Sequence, residues 1–479
     1  MSRTMTDSGY TDSALRKKGL DLLRDRKPAE AAEAFTAALV QCPSSAALNN
    51  DLGRALNNQG DLKGAESAFR KAVELDPGFA DALANLGHVL SGLQRTAEAE
   101  AAFQQALGFN HDHLRALQGL GILHLANQQP LQAAGYFEKA TETQPDDPRV
   151  WGQLGAARQR AGDCGAAEDA YKRALSLNPG DAETRLNHGI TLQELDRLDD
   201  ALAEYQAAAR LAPGSLAIQN HLGNAFLAAG RAEEALSTTD VCLQTDPGNT
   251  AALSLRGVAL ARLGRADDAR RLVDTERLIR QVEVATPADF EDVRSFNTAL
   301  AGHVLADETL TFEPDGHATR KGGHTRDLLR GDKGPVAILE QFVMEAARTY
   351  LETLDVPSDH PFPGRVPRIP RLAMWAVVME ADGHQLPHIH PAAWLSGVYY
   401  VSLPSTMGGG NGRHEGWIEF GLPPDELQSN ENPEQTVFEP HEGQMFLFPS
   451  YFYHRTIPFS GDERRICIAF DVLRRRGSA

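Results

Sequence analysis

Glycine recurs through the first half of this 479-residue chain with a constant period of 34 residues. These glycines are Gly19, Gly53, Gly87, Gly121, Gly155, Gly189, Gly223 and Gly257. Alanine follows twelve residues after each of them, at Ala31, Ala65, Ala99, Ala133, Ala167, Ala201, Ala235 and Ala269. A period of this length is typical of stacked helix pairs, because one pair cannot bury its own apolar face without a neighbour. The pattern therefore predicts eight stacked units.

An aromatic residue and a proline complete most units. The aromatic residues of the first six units are Phe35, Phe69, Phe103, Phe137, Tyr171 and Tyr205. The closing prolines are Pro43, Pro77, Pro145, Pro179, Pro213 and Pro247. We interpret the small residues as the place where two helices cross, the aromatic residue as a filler between units, and proline as the end of the second helix. Thr239 and Val273 replace the aromatic residue in the last two units and predict an atypical end.

This order of residues resembles the tetratricopeptide repeat over about residues 12–283. The resemblance implies an all-α solenoid that folds independently and whose groove holds a protein or peptide partner. We expect residues 1–11 to be a disordered N-terminus.

Composition narrows the class of partner. A formal charge of -18 argues against nucleic acid, because phosphate binding needs clustered Lys and Arg. We find no apolar run of bilayer length and no secretory signal, so we expect a cytoplasmic protein that does not bind membranes. Four widely spaced cysteines, without a CxxC pair, fit a reducing compartment. The sequence gives no signal for the oligomeric state.

The pattern changes to short strands after about residue 371. Apolar segments alternate with Gly-rich and Pro-rich turns, which predicts a mainly-β jelly roll or barrel with its core at about 371–473. We assign residues 284–479 to this second domain. An amphipathic helix at about 336–354 is expected to pack on the back of the sheet.

Two histidines stand two residues apart in the segment PHIHPAAWLSGVYYV. The alternation of a strand puts His388 and His390 on one face, which is a spacing used by metal ligands. His454 follows the segment FPSYFY, and Arg465 opens the next strand. The alternative is that the three histidines are core residues bonded to the backbone.

The motifs H-x-H-P, S-G-V-x-Y and F-P-S, with the distal histidine and the strand-initial arginine, resemble a subfamily of Fe(II)- and 2-oxoglutarate-dependent oxygenases over about residues 375–472. The resemblance implies a double-stranded β-helix with His388 and His454 as metal ligands. His390 stands where the usual motif has Asp, so it is either the third ligand or a residue just outside the metal shell. Arg465 would hold the far carboxylate of 2-oxoglutarate.

Neighbouring residues extend the implied cosubstrate site. Cys467 replaces the serine that gives a second carboxylate contact in the family, and is a weaker donor. Tyr400 is a candidate phenol donor, and Tyr399 is the alternative if the strand has the opposite phase. We expect Arg464 to be a surface charge. His384 and His441 are expected at turns, and His317 and His324 in loops, all four outside the ligand set.

The two resemblances together imply a dioxygenase that uses Fe(II), O2 and 2-oxoglutarate to hydroxylate a protein or peptide side chain recruited by the repeats. Two alternatives stay open. A catalytically inactive interaction scaffold is favoured by the missing carboxylate and by Cys467. A three-histidine, cupin-type metalloenzyme without 2-oxoglutarate is disfavoured by Arg465, which would then have no anion to hold.

Overall fold

The computed structural model describes residues 14–312, 318–357, 360–362, 371–407 and 414–473. Residues 1–11, expected to form a disordered N-terminus, and His317 lie outside these ranges. The chain divides into two compact units between Glu204 and Tyr205. The second unit contains the last repeats together with the β-domain.

Sixteen helices form the repeats. They are α1 (Ala14–Arg24), α2 (Pro28–Gln41), α3 (Ala46–Gln59), α4 (Leu62–Leu75), α5 (Ala80–Gly92), α6 (Thr96–Phe109), α7 (Leu114–Ala126), α8 (Pro130–Thr143), α9 (Pro148–Arg160), α10 (Cys164–Leu177), α11 (Ala182–Glu194), α12 (Leu198–Leu211), α13 (Leu216–Ala228), α14 (Ala232–Thr245), α15 (Thr250–Arg262) and α16 (Ala266–Leu272). The helical solenoid predicted from the 34-residue period is confirmed. No helix in the described ranges is both long and apolar enough to cross a bilayer.

In the first five helix pairs, the periodic glycine allows an aromatic ring to approach the first helix. A β-carbon added at Gly121 would lie 2.5 Å from the ring of Phe137, sixteen residues later in the same unit. The ring of Phe103 lies against Gly87 of its own unit and also against Gly119 of the next, at 2.7 and 2.4 Å from the added β-carbon. The aromatic residue therefore packs inside its own unit as well as between units, where we had predicted only the second contact.

The last helix pair shares a hydrophobic core with the β-domain. Leu253 and Leu260 of α15 and Leu272 of α16 belong to the same buried cluster as Phe448 and Tyr451. The Tyr451 hydroxyl donates a hydrogen bond of 2.7 Å to the carbonyl oxygen of Leu272. The eighth repeat is therefore packed into the second unit.

The remaining elements form the β-domain. They are α17 (Thr275–Leu278), β1 (Arg280–Glu283), α18 (Val293–Leu305), β2 (Thr311–Phe312), β3 (Thr319–His324), α19 (Val336–Glu352), β4 (Arg371–His388), β5 (Ala393–Ser402), β6 (Ile418–Phe420), β7 (Thr436–Phe438), β8 (Gln444–Pro449), β9 (His454–Thr456) and β10 (Arg465–Leu473), with a 3-10 turn at Asp425–Leu427. Their antiparallel order is β1-β8-β5-β10-β4-β9-β6-β7, and β3 also pairs with β4.

Strand β4 curls this sheet, because its two halves have different partners. Residues 371–379 pair with β10, whereas Gln385 and His388 pair with β9. Between the halves Asp382 has a positive φ of 60°. At Gly383 an added β-carbon would lie 2.6 Å from the carbonyl oxygen of Glu380. The turn expected at His384 is thus a bend within one strand, and the predicted mainly-β class is confirmed as a curled antiparallel sheet.

Helix α19 covers one face of the sheet, as the amphipathic pattern predicted. Leu339, Val343 and Tyr350 are buried on it. The Tyr350 ring meets Trp394 of β5 edge-on, with centroids 6.5 Å apart. Its hydroxyl donates to the carbonyl oxygen of Leu278 at 2.7 Å, which satisfies the polar tip of a buried side chain.

Candidate metal centre

Strand pairing brings two of the predicted histidines together, and the turn that follows β4 adds His390, which lies just past the end of the strand on which we expected it. His388 of β4 lies directly opposite His454 of β9, and their ring centroids are 4.3 Å apart. The ring centroid of His390 lies 5.2 Å from that of His388 and 5.1 Å from that of His454. One candidate ligand atom from each ring lies within 4.8 Å of the other two. This arrangement can hold a metal ion.

Backbone carbonyl groups fix the tautomer of two of the rings. His388 Nδ1 lies 2.8 Å from the carbonyl oxygen of Leu386, and His454 Nδ1 lies 3.0 Å from that of Phe452. A carbonyl oxygen only accepts hydrogen bonds, so we assign the proton to Nδ1 in both rings. Nε2 then keeps its lone pair, which is the form that binds a metal ion.

A carboxylate orients the third ring. His390 Nδ1 lies 2.8 Å from Asp471 Oδ1, and the Ser396 hydroxyl donates to the same oxygen at 2.6 Å. The Ser396 hydroxyl also lies 2.9 Å from that of Ser450. A carboxylate behind a metal-binding histidine fixes its orientation and raises its basicity. The sequence reasoning missed Asp471, although strand alternation from Arg465 puts it on the same face of β10.

Burial keeps two of the imidazoles neutral. It lowers the pKa of His388 to about 4, and the neighbouring His390 acts in the same direction. Burial also holds the pKa of His454 well below its usual range, with further lowering by His388 and His390. Neutral imidazole is the ligand form, so metal binding at these two residues needs no proton release at neutral pH.

The histidines share one cavity of about 440 Å³ with Arg465. Alternate residues of β10 point into it, from Arg465 through Cys467 and Ala469 to Asp471. The strand therefore carries the arginine at one end of the cavity and the partner of His390 at the other.

Arg465 is buried, at 1% exposure, and forms no ion pair with any described residue. Among the residues that the structure describes, the partners of its Nη1 are both sulfur atoms, Cys467 Sγ at 3.4 Å and Met379 Sδ at 4.0 Å. Its Cζ lies 5.1 Å from the centroid of the Tyr400 ring. Within the described ranges, neither its Nε nor the Tyr400 hydroxyl has a hydrogen-bond partner. A buried guanidinium without a counter-charge is costly, so these groups fit a bound anion.

Tyr400 and Cys467, whose side chains lie beside Arg465, are protonated. Burial raises the pKa of Tyr400 and that of Cys467 above their ordinary values. A phenol and a thiol in this state are donors, and an anion accepts from donors. The site therefore offers a buried cation with two neutral donors beside it.

The structure also shows which tyrosine faces the cavity. Tyr400 lines it, whereas the Tyr399 hydroxyl donates to Asn297 Oδ1 at 2.6 Å on the other face of β5. Gly397 of the S-G-V-x-Y segment is needed between β8 and β10, since an added β-carbon would lie 2.3 Å from the carbonyl oxygen of Phe446.

Of the other polar candidates, three lie outside the site and one lines the cavity. His384 and His441 lie outside the triad. Arg464 is half exposed and forms a 3.3 Å ion pair with Glu380. His324, expected in a loop, instead ends strand β3 and lines the cavity. The reason is Gly322, where an added β-carbon would lie 2.8 Å from a carbonyl oxygen of β4 and would prevent this pairing.

Comparison with protein families agrees with this geometry. Residues 373–471 match the family described as "Putative 2OG-Fe(II) oxygenase". Tetratricopeptide-repeat models match overlapping segments that run from residue 16 to residue 281. The chain joins tetratricopeptide repeats to a domain of this oxygenase family. The oxygenase-family domain contains the three histidines, Arg465 and Asp471.

Solved structures resemble the tetratricopeptide repeats. YrrB, described as a TPR protein with an unusual peptide-binding site, is 26% identical, with a TM-score of 0.35; the match covers 39% of this chain and 97% of YrrB. PilF of Pseudomonas aeruginosa is 25% identical, with a TM-score of 0.40; the match covers 44% of this chain and 96% of PilF. A search of the curated proteins found no match.

The oxygenase family implies Fe(II) and 2-oxoglutarate, and the residues present fit both. Neutral imidazoles suit Fe(II). Arg465 has no ion-pair partner in the part of the chain that the structure describes, and it suits a carboxylate because its planar fork matches two oxygen atoms. Both groups face one cavity.

Proposed function

We propose that this protein is an Fe(II)- and 2-oxoglutarate-dependent dioxygenase that hydroxylates a protein or peptide side chain recruited by its repeats. One observation carries the proposal. Three convergent imidazoles line the same cavity as Arg465, a buried arginine that forms no ion pair with any residue in the described ranges. Neither an inactive scaffold nor a metalloenzyme without 2-oxoglutarate accounts for that arginine.

His388, His390 and His454 would hold the metal through Nε2. The Nδ1 atoms of all three are already bonded, to two carbonyl groups and to Asp471. The contact with Asp471 favours His390 as a ligand, because a histidine oriented by a carboxylate in this way is typical of metal sites. The usual Asp ligand would bring a negative charge to the metal. Here Asp471 would supply that charge indirectly, through its contact with His390.

Arg465 would bind the far carboxylate of 2-oxoglutarate through its planar guanidinium. Tyr400 would donate its hydroxyl hydrogen to the same carboxylate, and Cys467 would add a weak S–H contact. Both side chains are buried. Because Arg465, Tyr400 and Cys467 are buried, these contacts are stronger than they would be at the surface.

The bound metal and 2-oxoglutarate would supply the oxidising chemistry, in which O2 is consumed, 2-oxoglutarate becomes succinate and CO2, and one oxygen atom enters a substrate C–H bond. The chain's own residues orient these groups and limit the access of water. Apolar side chains of Val377, Val398 and Phe448 form part of the cavity wall. They would keep the oxidising reaction away from solvent.

The repeats support a protein or peptide as the substrate. Tetratricopeptide solenoids present extended concave surfaces, and such surfaces bind peptides and helices. A repeat array attached to an oxygenase-family domain would raise the local concentration of a bound partner at the cavity.

Succinate release tests this proposal. Protein loaded with Fe(II) would be mixed with 2-oxoglutarate in air, with and without ascorbate, and succinate would be measured. We expect release above the metal-free background from the wild type and background release from His388→Ala. His441→Ala, an exposed histidine outside the triad, serves as the control and should match the wild type.

Partner capture would then identify the hydroxylated side chain. Full-length protein would retain its partner from a lysate, and mass spectrometry would detect the added oxygen atom. A partner that binds without any oxidation, together with no iron-dependent succinate, would support the scaffold alternative and contradict the enzyme.

A further inference from the structure

We propose that helix α15 of the eighth repeat positions the metal centre, with Thr250 and Ser254 as positioning residues for His390 and His454. The inference rests on the proposed metal-binding function. It assigns a role at the site to a repeat helix that lies outside the oxygenase-family match.

Thr250 supports the turn that carries His390. Its buried hydroxyl donates to the carbonyl oxygen of Ala393 at 3.2 Å. The N–H of Ala393 donates to the carbonyl oxygen of His390 at 3.1 Å, and the N–H of His390 donates to that of Ser450 at 3.0 Å. The turn is therefore held on one side by β-domain backbone and on the other by the repeat.

Ser254 supports the segment that carries His454. Its side chain is 4% exposed, and its hydroxyl donates to the carbonyl oxygen of Ala251 at 2.8 Å. It lies beside the hydroxyl of Tyr453, the residue before His454, where it opposes the rise in the pKa of Tyr453 that burial causes. The carbonyl oxygen of Tyr453 accepts a 2.9 Å hydrogen bond from the N–H of Gly421. Since residues four apart share one face of a helix, Thr250 and Ser254 present a single edge of α15 to both histidine segments.

Apolar packing fixes the helix in this position. Leu253 of α15 belongs to the same buried cluster as Trp394 and Phe452, which lie close in sequence to His390 and His454. Asn249 caps the helix, because its Oδ1 accepts the N–H of Ala252 at 2.8 Å. A capped and buried helix is a rigid support, which a precise metal site needs.

Thr250 is not the helix cap, so it can be replaced without loss of the cap. The test uses full-length protein with Thr250→Val and Ser254→Ala combined. Co(II) alone is the probe, with affinity taken from a titration and coordination from its visible absorption bands. Because residues behind metal ligands change affinity by about 10- to 100-fold, we expect these more distant ones to weaken Co(II) binding about 5-fold and to alter the spectrum.

Two variants serve as controls. Thr250→Ser keeps the hydroxyl and should retain wild-type affinity. Thr275→Val removes a hydroxyl contact with Thr436 of β7, which strand β6 separates from His454. It therefore reports the effect of a similar loss on stability without removing a contact to either histidine segment. The double variant should unfold at a temperature close to that of Thr275→Val while differing from it in Co(II) affinity and spectrum.

An unchanged affinity and spectrum in a folded double variant would overturn the inference and leave the proposed function standing. Failure of the wild type itself to bind Co(II) would contradict the metal site and, with it, the inference. If the double variant does not fold, Thr250→Val alone, which nearly conserves volume, is measured against Thr250→Ser, and equal affinities would overturn the role of Thr250.

Discussion

The repeats and the histidine cavity depend on contacts of very different sequence separation. In the repeats, Phe137 packs on Gly121 sixteen residues earlier, and the same contact recurs in neighbouring units. In the cavity, His390 meets Asp471 across 81 residues, and no other described residue repeats that contact. A repeated local contact stabilises the fold, whereas a unique distant contact sets the geometry of a site. Substitutions in the two regions should therefore have different readouts.

The largest expected effect is loss of iron from the cavity. His388→Ala and His454→Ala each remove one ligand of a candidate triad, so we expect Fe(II) affinity to fall by more than about 100-fold, beyond the effect of losing an outer partner. Iron content after dialysis measures this, with His441→Ala as the control. The same loss in His390→Ala would support its role as the third ligand. Full iron in both His388→Ala and His454→Ala would remove the basis for the site.

The next largest effect is expected on 2-oxoglutarate affinity, at the end of the cavity that contains Arg465. Arg465→Lys keeps a positive charge but loses the planar fork, so the affinity for 2-oxoglutarate should fall by about 1.5–3 kcal/mol, the range for a hydrogen bond to a charged group. Calorimetric titration measures it, and thermal unfolding should change little. Arg464→Lys, at a half-exposed ion pair, is the matched control and should bind as the wild type does. Unfolding of Arg465→Lys with normal binding in its folded fraction would argue against this role.

A smaller effect is expected at Asp471, the hydrogen-bond partner of His390. Asp471→Asn keeps the size of the side chain but removes the negative charge that orients His390. We expect Fe(II) affinity to fall about 10-fold, at the lower end for outer partners of metal ligands, because the amide oxygen can still accept from Nδ1. Competition with a chelator measures the change. An affinity equal to that of the wild type would show that His390 does not depend on Asp471.

The smallest effect belongs to the repeats and should appear in stability alone. Gly121→Ala places a methyl group against Phe137, so the free energy of unfolding should fall by about 1 kcal/mol, as overpacking exceeds the gain in helix propensity. Gly135→Ala lies in the same unit with nothing within 4 Å of the added β-carbon, and should stabilise by up to about 1 kcal/mol. Denaturant titration compares the pair. Equal effects would show that the glycine period is not a packing requirement.

The different separations also explain what the sequence could predict. The repeats were predictable because each contact lies within one period. His388, His390 and His454 could be proposed as a group from a local spacing and a distal motif. Alternation from Arg465 could place Asp471 on the cavity face of β10, but not beside His390, because that contact depends on the register of β10 against β5, which contains two irregularities.

The choice between Tyr399 and Tyr400 could not be made from the sequence, because the sequence does not show which face of a strand a residue occupies. One residue of slip exchanges the two faces of a strand, so the sequence left Tyr399 and Tyr400 as alternatives. The register of β5 places Tyr400 opposite Cys467 and on the cavity side. The contacts of Thr250 and Ser254 were not predictable at all, since the 34-residue period gives no information about what the last repeat meets.

Titration of 2-oxoglutarate into wild-type protein, with and without Mn(II) as a redox-stable substitute for Fe(II), tests the central claim that metal and cosubstrate share one cavity. If His388, His390 and His454 hold the metal at one end and Arg465 holds the far carboxylate at the other, binding should be tight only when Mn(II) is present, and Arg465→Lys should weaken it. Equal binding of 2-oxoglutarate with and without Mn(II), or no binding in either case, would contradict the account.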